Sequence, residues 1–163
     1  MELYTVKAAT EIAGIDKELL SQWIKRGQVI PDRKAEGTGT RNLFSGASIC
    51  KILLFKELCE SVNINRKRAS SLVFSDGFTN LFEYYLNLPL NALTPADKPP
   101  PMFSLAIFGD ANDLEIELIA SEEKFQTLYK KVMTMKTRII PLYRIVLHVA
   151  SQLANMEKKP VRL

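Results

Sequence analysis

Gly14-Ile15-Asp16-Lys17-Glu18-Leu19-Leu20-Ser21-Gln22-Trp23-Ile24-Lys25-Arg26-Gly27 is the stretch whose reading decides the fold. Gly14 permits a positive φ and so a tight turn, after which Ile15 plugs the core. Asp16 stands where an N-cap belongs, its carboxylate placed to accept from the free amides of the next turn. A helix then spans Lys17 to Arg26, with Leu19, Leu20, Trp23 and Ile24 on its apolar side, and Gly27 ends it. Upstream, Val6, Ala9, Ile12 and Ala13 have the spacing of the buried face of a short first helix. Downstream, Val29-Ile30-Pro31 leads out extended. Asp32 to Thr40 is polar and contains Gly37 and Gly39, and Arg41-Asn42-Leu43-Phe44 is extended again. Helix, tight turn, helix and a two-stranded wing with a basic tip is the order of a winged helix-turn-helix.

Residues Tyr4-Thr5-Val6, Gly14-Ile15, Leu20, Trp23 to Gly27, Ile30-Pro31 and Arg41 to Ser45 resemble the head of MerR-family transcriptional regulators. The Trp-Ile-Lys-Arg-Gly run is also similar to phage excisionases, which share the winged fold. The resemblance covers residues 3–75, under half of the chain. It implies a bacterial or phage DNA-binding protein whose second helix enters the major groove. The chain departs from the family at Ser21 and Gln22, where MerR proteins often carry Arg and Tyr.

On that reading the DNA-binding residues are Lys17, Ser21, Gln22, Lys25, Arg26, Arg33, Lys34, Thr40 and Arg41. Gln22 suits a bidentate pair with adenine, and Ser21 a base or a phosphate. Lys25 and Arg26 hold phosphates, while Arg33, Lys34 and Arg41 grip the backbone or minor groove from the wing. Trp23 belongs to the core, since it falls on the apolar side. Three cations, Arg66-Lys67-Arg68, open a fourth helix behind an Asn65 cap; they make a phosphate contact or a solvated charge cluster.

Composition bounds the rest. The hydrophobic content of 47% over 163 residues is ample for a core. No apolar run approaches the ~20 residues of a membrane span, and no leader is expected at the N-terminus. A cytoplasmic protein is the expectation. Residues 1–75 hold 12 Lys/Arg against 8 Asp/Glu, and residues 76–163 hold 10 of each, so the net +4 lies in the first half. That distribution suits a head that meets phosphates. Cys50 and Cys59 share one helix, too far apart to bridge. His148 is the lone histidine and sits on an apolar helix face, the setting of a packed or hydrogen-bonded residue. Without a metal-ligand cluster, a phosphate-cradling glycine loop or a paired acid and base, neither an enzyme nor a cofactor is expected.

Past the head, a third helix starts at Gly46, a short amphipathic helix spans Phe78 to Leu88, and Pro89 to Pro101 reads as a linker. Residues 76–101 are therefore a connector and 102–163 a dimerisation or effector region. Two alternating runs, Met102–Phe108 and Leu114–Ala120, flank a Gly/Asp/Asn loop and make a β-hairpin. Phe125, Leu128, Val132, Met135, Ile139, Leu142, Val146, Val149, Leu153 and Met156 then recur at 4-3 spacing on one long final helix that Pro141 kinks or breaks. The fold class expected is mainly α: a winged head, a hairpin and a long helix. The stripe suits a homodimer seam, and MerR-like regulators dimerise through a long C-terminal helix. The rival is a helix folded back on the hairpin within one chain.

The expected function is a sequence-specific transcriptional regulator that binds double-stranded DNA as a dimer on a two-fold operator. The alternative is a DNA-architectural or packaging factor, excisionase-like or similar to a terminase small subunit. A weaker third is a protein–protein adaptor that has lost DNA affinity. The family resemblance allows a small-molecule effector, which no residue identifies.

Overall fold

The structure, a computed structural model, describes residues 2–37, 40–93, 103–110, 113–134 and 137–157. It is mostly helical with two small antiparallel sheets. Strand β1 (Tyr4–Thr5) leads into α1 (Val6–Ala13), whose N-cap Thr5 accepts from the Ala8 amide. Gly14 caps α1 at φ 58°, and the Ile15 amide donates to the Thr10 carbonyl across the turn. Helix α2 (Lys17–Lys25) starts on the expected cap, with Asp16 Oδ1 2.6 Å from the Glu18 amide. Gly27, at φ 65°, lets the chain leave that helix sharply, and the Gln28 and Val29 amides both donate to the Trp23 carbonyl.

β2 (Leu43–Phe44) pairs with β1, and Arg33 and Leu43 exchange two backbone hydrogen bonds that close the base of a 32–42 loop. Ser45 caps α3 (Gly46–Glu60), a helix buried nearly all round that forms the axle of the molecule. α4 (Arg66–Val73), capped by Asn65, and α5 (Asp76–Leu86) pack against it, and a short α6 (Leu90–Leu93) follows. Residues 94–101 of the expected linker, and Met102 of the expected first strand, lie outside the described residues.

The C-terminal half departs from the expected single helix. It is α7 (Glu122–Thr134), β5 (Thr137–Pro141) and α8 (Leu142–Glu157). The hairpin, β3 (Ser104–Asp110) and β4 (Asp113–Ile119), is found as expected, but β5 adds to it in the order β4-β3-β5. Leu105 faces Ile140 and Ala106 faces Ile139 across the new ladder. The reason is local: Thr137, Ile139 and Ile140 are β-branched and favour a strand, and Pro141 cannot serve inside a helix.

The 4-3 stripe is thereby divided, and the single long helix expected to carry it is not found. Leu142, Val146 and Val149 are fully buried in the same core as Ile12, Ile49 and Phe55 of the head. Leu128, with Phe125 against it, packs instead on Ala106, Phe108 and Ile119, on the other face of the sheet. Ile139 is 45% exposed, Leu153 is half-buried at the edge of the main core, and Val132 lies in α7. Met135 lies outside the described residues. The fold-back rival describes the arrangement better, except that α8 packs chiefly on α3, α5 and α6, with α1 close behind. The main core therefore runs without a break from the first helix to the last, across the boundary expected near residue 75. Helix contact is close: a Cβ on Gly46 would lie 3.1 Å from Leu86 Cδ1 and 3.2 Å from Leu153 Cδ1.

Candidate nucleic-acid interface

The inner side of α2 is fixed by aromatic packing. Leu20 and Trp23 are buried, and Trp23 meets Phe55 of α3 edge-on with ring centroids 5.0 Å apart. Such a pair is worth about 0.5–1.5 kcal/mol beyond its buried area. Phe55 in turn meets Phe74 at 6.5 Å. Trp23 is thus core, as its place on the apolar side requires. The Ser70 hydroxyl donates to the Gln28 carbonyl at 2.8 Å, tying α4 to the chain leaving α2.

With its underside held, α2 turns Lys17, Gln22, Lys25 and Arg26 to solvent, with Ser21 half-buried beside them. Arg33, Lys34, Thr40 and Arg41 are exposed on the 32–42 loop. The loop has internal order: Asn42 Oδ1 accepts from the Ala35 amide at 2.9 Å, and the Thr40 hydroxyl donates to the Gly37 carbonyl at 3.1 Å. Gly37 takes φ 81°, which a side chain would strain. Gly39 lies outside the described residues.

Asp32 anchors the loop to the axle helix. Its Oδ2 accepts from the buried Ser45 amide at 2.7 Å and its Oδ1 from the Ser45 hydroxyl at 3.3 Å. Ser45 Oγ also caps α3 through the Ser48 amide. One carboxylate therefore fixes both the loop's root and the start of α3. Sequence reading assigned Asp32 only to a polar stretch, because a contact to residue 45 has no local signature.

Among the described residues, none of Lys17, Lys25, Arg26, Arg33, Lys34 and Arg41 is in an ion pair. On α7, Lys124 pairs with Glu117 at 2.6 Å and Lys131 pairs with Glu115. The hydrogen bond from Lys124 holds the Glu117 carboxyl below its usual range. Arg66 and Lys67, exposed in the first turn of α4, are likewise outside any ion pair among the described residues.

Lys51 went unremarked in the sequence and is buried in α3. Its ammonium donates to Thr79 Oγ1 at 2.9 Å and lies 5.3 Å from the Phe74 ring centroid. Burial pushes its pKa below the ordinary lysine value, against the opposing charges of Asp32, Glu83 and Asp76. His148 Nε2 donates to the Ile12 carbonyl at 2.8 Å, joining α8 to α1. Burial pushes both the Cys50 and Cys59 thiols up, away from the thiolate form.

No family model matches the chain, and no curated protein matches it. Among the described residues no helix is long and apolar enough to cross a membrane.

Proposed function

We propose that the protein is a duplex-DNA-binding protein that inserts α2 into the major groove and lays the 32–42 loop, as a wing, along the neighbouring backbone. The observation that carries this is the set of six exposed cations that are outside any ion pair among the described residues, on one helix and one loop, above a rigid aromatic underside. Free surface cations of that kind release counterions from DNA, which drives binding. Gln22 is exposed between them on α2 and has the amide that reads adenine. Arg33, Lys34 and Arg41 position the protein on phosphates, and Lys25 and Arg26 do the same from the end of α2. A winged helix-turn-helix describes this arrangement, and a cytoplasmic transcriptional regulator is the role we assign to it. The engaged His148 and the suppressed thiols support binding rather than catalysis.

A second reading, a DNA-architectural or packaging factor, is favoured by one observation. α8 closes the head's own core where a long dimerisation helix was expected. Selection of bound sequences from a random duplex pool tests both. A regulator yields one enriched motif, and Gln22→Ala relaxes it at a single base position. An architectural factor yields a weak, shape-dependent preference that Gln22→Ala leaves alone. If no duplex is retained, the DNA assignment is wrong.

A further inference from the structure

A cavity of about 610 Å³ lies where β1, the start of α3, the end of α5 and the last turns of α8 meet. That volume is in the range of small-molecule sites, about 300–1,000 Å³. Gly46, Ala150 and Ala154 are the small residues that leave the space, and Leu86, Leu88 and Leu153 give it apolar walls. The charged residues of the lining are Glu2 and Glu83, and among the described residues neither is in an ion pair. The Tyr4 hydroxyl donates to Glu2 Oε2 at 2.8 Å and steadies that carboxylate. The surrounding field has the same sign. Lys51 is the cation whose charge bears on Glu83, and it is shared with Asp32 and Asp76 while donating to Thr79. With Glu2 added, four carboxylates stand against that one ammonium. The start of α3 carries a positive partial charge, but Asp32 is bonded there through Ser45. The end of α5, in the same wall, carries the opposite partial charge.

We propose that this cavity binds a small organic cation, an ammonium group carried on an alkyl or aryl body. The ammonium is held by Glu2 and Glu83, and the body lies on Leu86, Leu88 and Leu153. The lining selects this class. An anion would bring its charge against two carboxylates with no cation of the lining to receive it, and an inorganic cation would leave the apolar walls unused. A neutral apolar molecule would forgo both carboxylates. None of the residues assigned to DNA lines the cavity, so the site stands apart from that reading.

The test contains no DNA, so its failure and that of the DNA reading are distinguishable. The full chain is titrated by isothermal calorimetry with phenethylamine, its neutral analogue phenethyl alcohol and the anion phenylacetate, each to about 10 mM. Phenethylamine should bind with Kd on the order of 0.3 mM, as a ligand of so few atoms allows. The alcohol should bind at least tenfold more weakly, and phenylacetate not at all. Glu83→Gln should weaken the amine at least tenfold and leave the alcohol unchanged. Ala154→Phe fills the cavity and should abolish binding of both. Glu122→Gln, on α7 and outside the lining, should change nothing. Glu83→Gln leaves Lys51 with Asp32 and Asp76, and Ala154 is only half-buried, so the thermal midpoints of both variants should stay close to the parent's. Those midpoints separate a lost site from a lost fold. A parent that takes up no phenethylamine overturns the proposal. So does an alcohol bound as tightly as the amine, or amine binding that Glu83→Gln or Ala154→Phe leaves intact.

Discussion

Replacing Val146 by Ala tests whether α8 is part of the head. Val146 is fully buried in the core that also holds Ile12, Ile49 and Phe55. The change removes two methyl groups, each worth about 0.8 kcal/mol in transfer, and leaves a cavity that adds to the loss. The expected cost is about 2–3 kcal/mol, a sizeable fraction of the roughly 5–15 kcal/mol that holds a domain of this size. Trp23 is the chain's single tryptophan, and it sits in the head against Phe55. Its fluorescence therefore reports on the head, far along the chain from residue 146. With a urea m-value of about 2 kcal/mol/M, the Trp23 unfolding midpoint should fall by about 1–1.5 M. Far-ultraviolet circular dichroism should fall with it in one coincident transition. A Trp23 transition that stays put while the helical signal shifts would mean that α8 unfolds separately, and the continuous core would be refuted.

Two other perturbations probe the frame of the proposed interface. Asp32→Ala leaves the buried Ser45 amide without its carboxylate and should cost about 1–2 kcal/mol by urea titration, with duplex affinity reduced although Asp32 itself carries the wrong charge to touch phosphate. Lys51→Met tests the buried ammonium. A lysine whose folded pKa lies below its unfolded value binds fewer protons when folded, so parent stability should rise with pH between the lowered pKa and the ordinary one, and Lys51→Met should lack that rise in the difference curve.

The head was legible because its signals are local. Asp16 and Asn65 announce helix starts and Gly14 and Gly27 announce helix ends, each through bonds to residues only a few positions away. Trp23 could be assigned to the core from its place on the apolar side. The C-terminal half was misread for a physical reason. A 4-3 stripe states that one face must be buried but not against what, and the same spacing persists across a strand if the run is short. The β-branched run before Pro141 was the available clue to β5. Leu142, Val146 and Val149 then continue helical spacing and find α3, a partner about ninety residues earlier in sequence. Asp32 and Lys51 were invisible because Ser45 and Thr79 meet them only in the folded chain.

The measurement that bears most directly on the account is the salt dependence of duplex affinity, read by fluorescence anisotropy of a labelled duplex between about 50 and 300 mM salt. If the six cations of α2 and the 32–42 loop meet phosphates, log affinity should fall linearly with log salt concentration. The slope should be about −5, since each phosphate contact contributes about 0.9. Arg33→Ala and Arg41→Ala should each reduce that slope by about one. No binding at the lowest salt, or an affinity that salt and both substitutions leave unchanged, would contradict it.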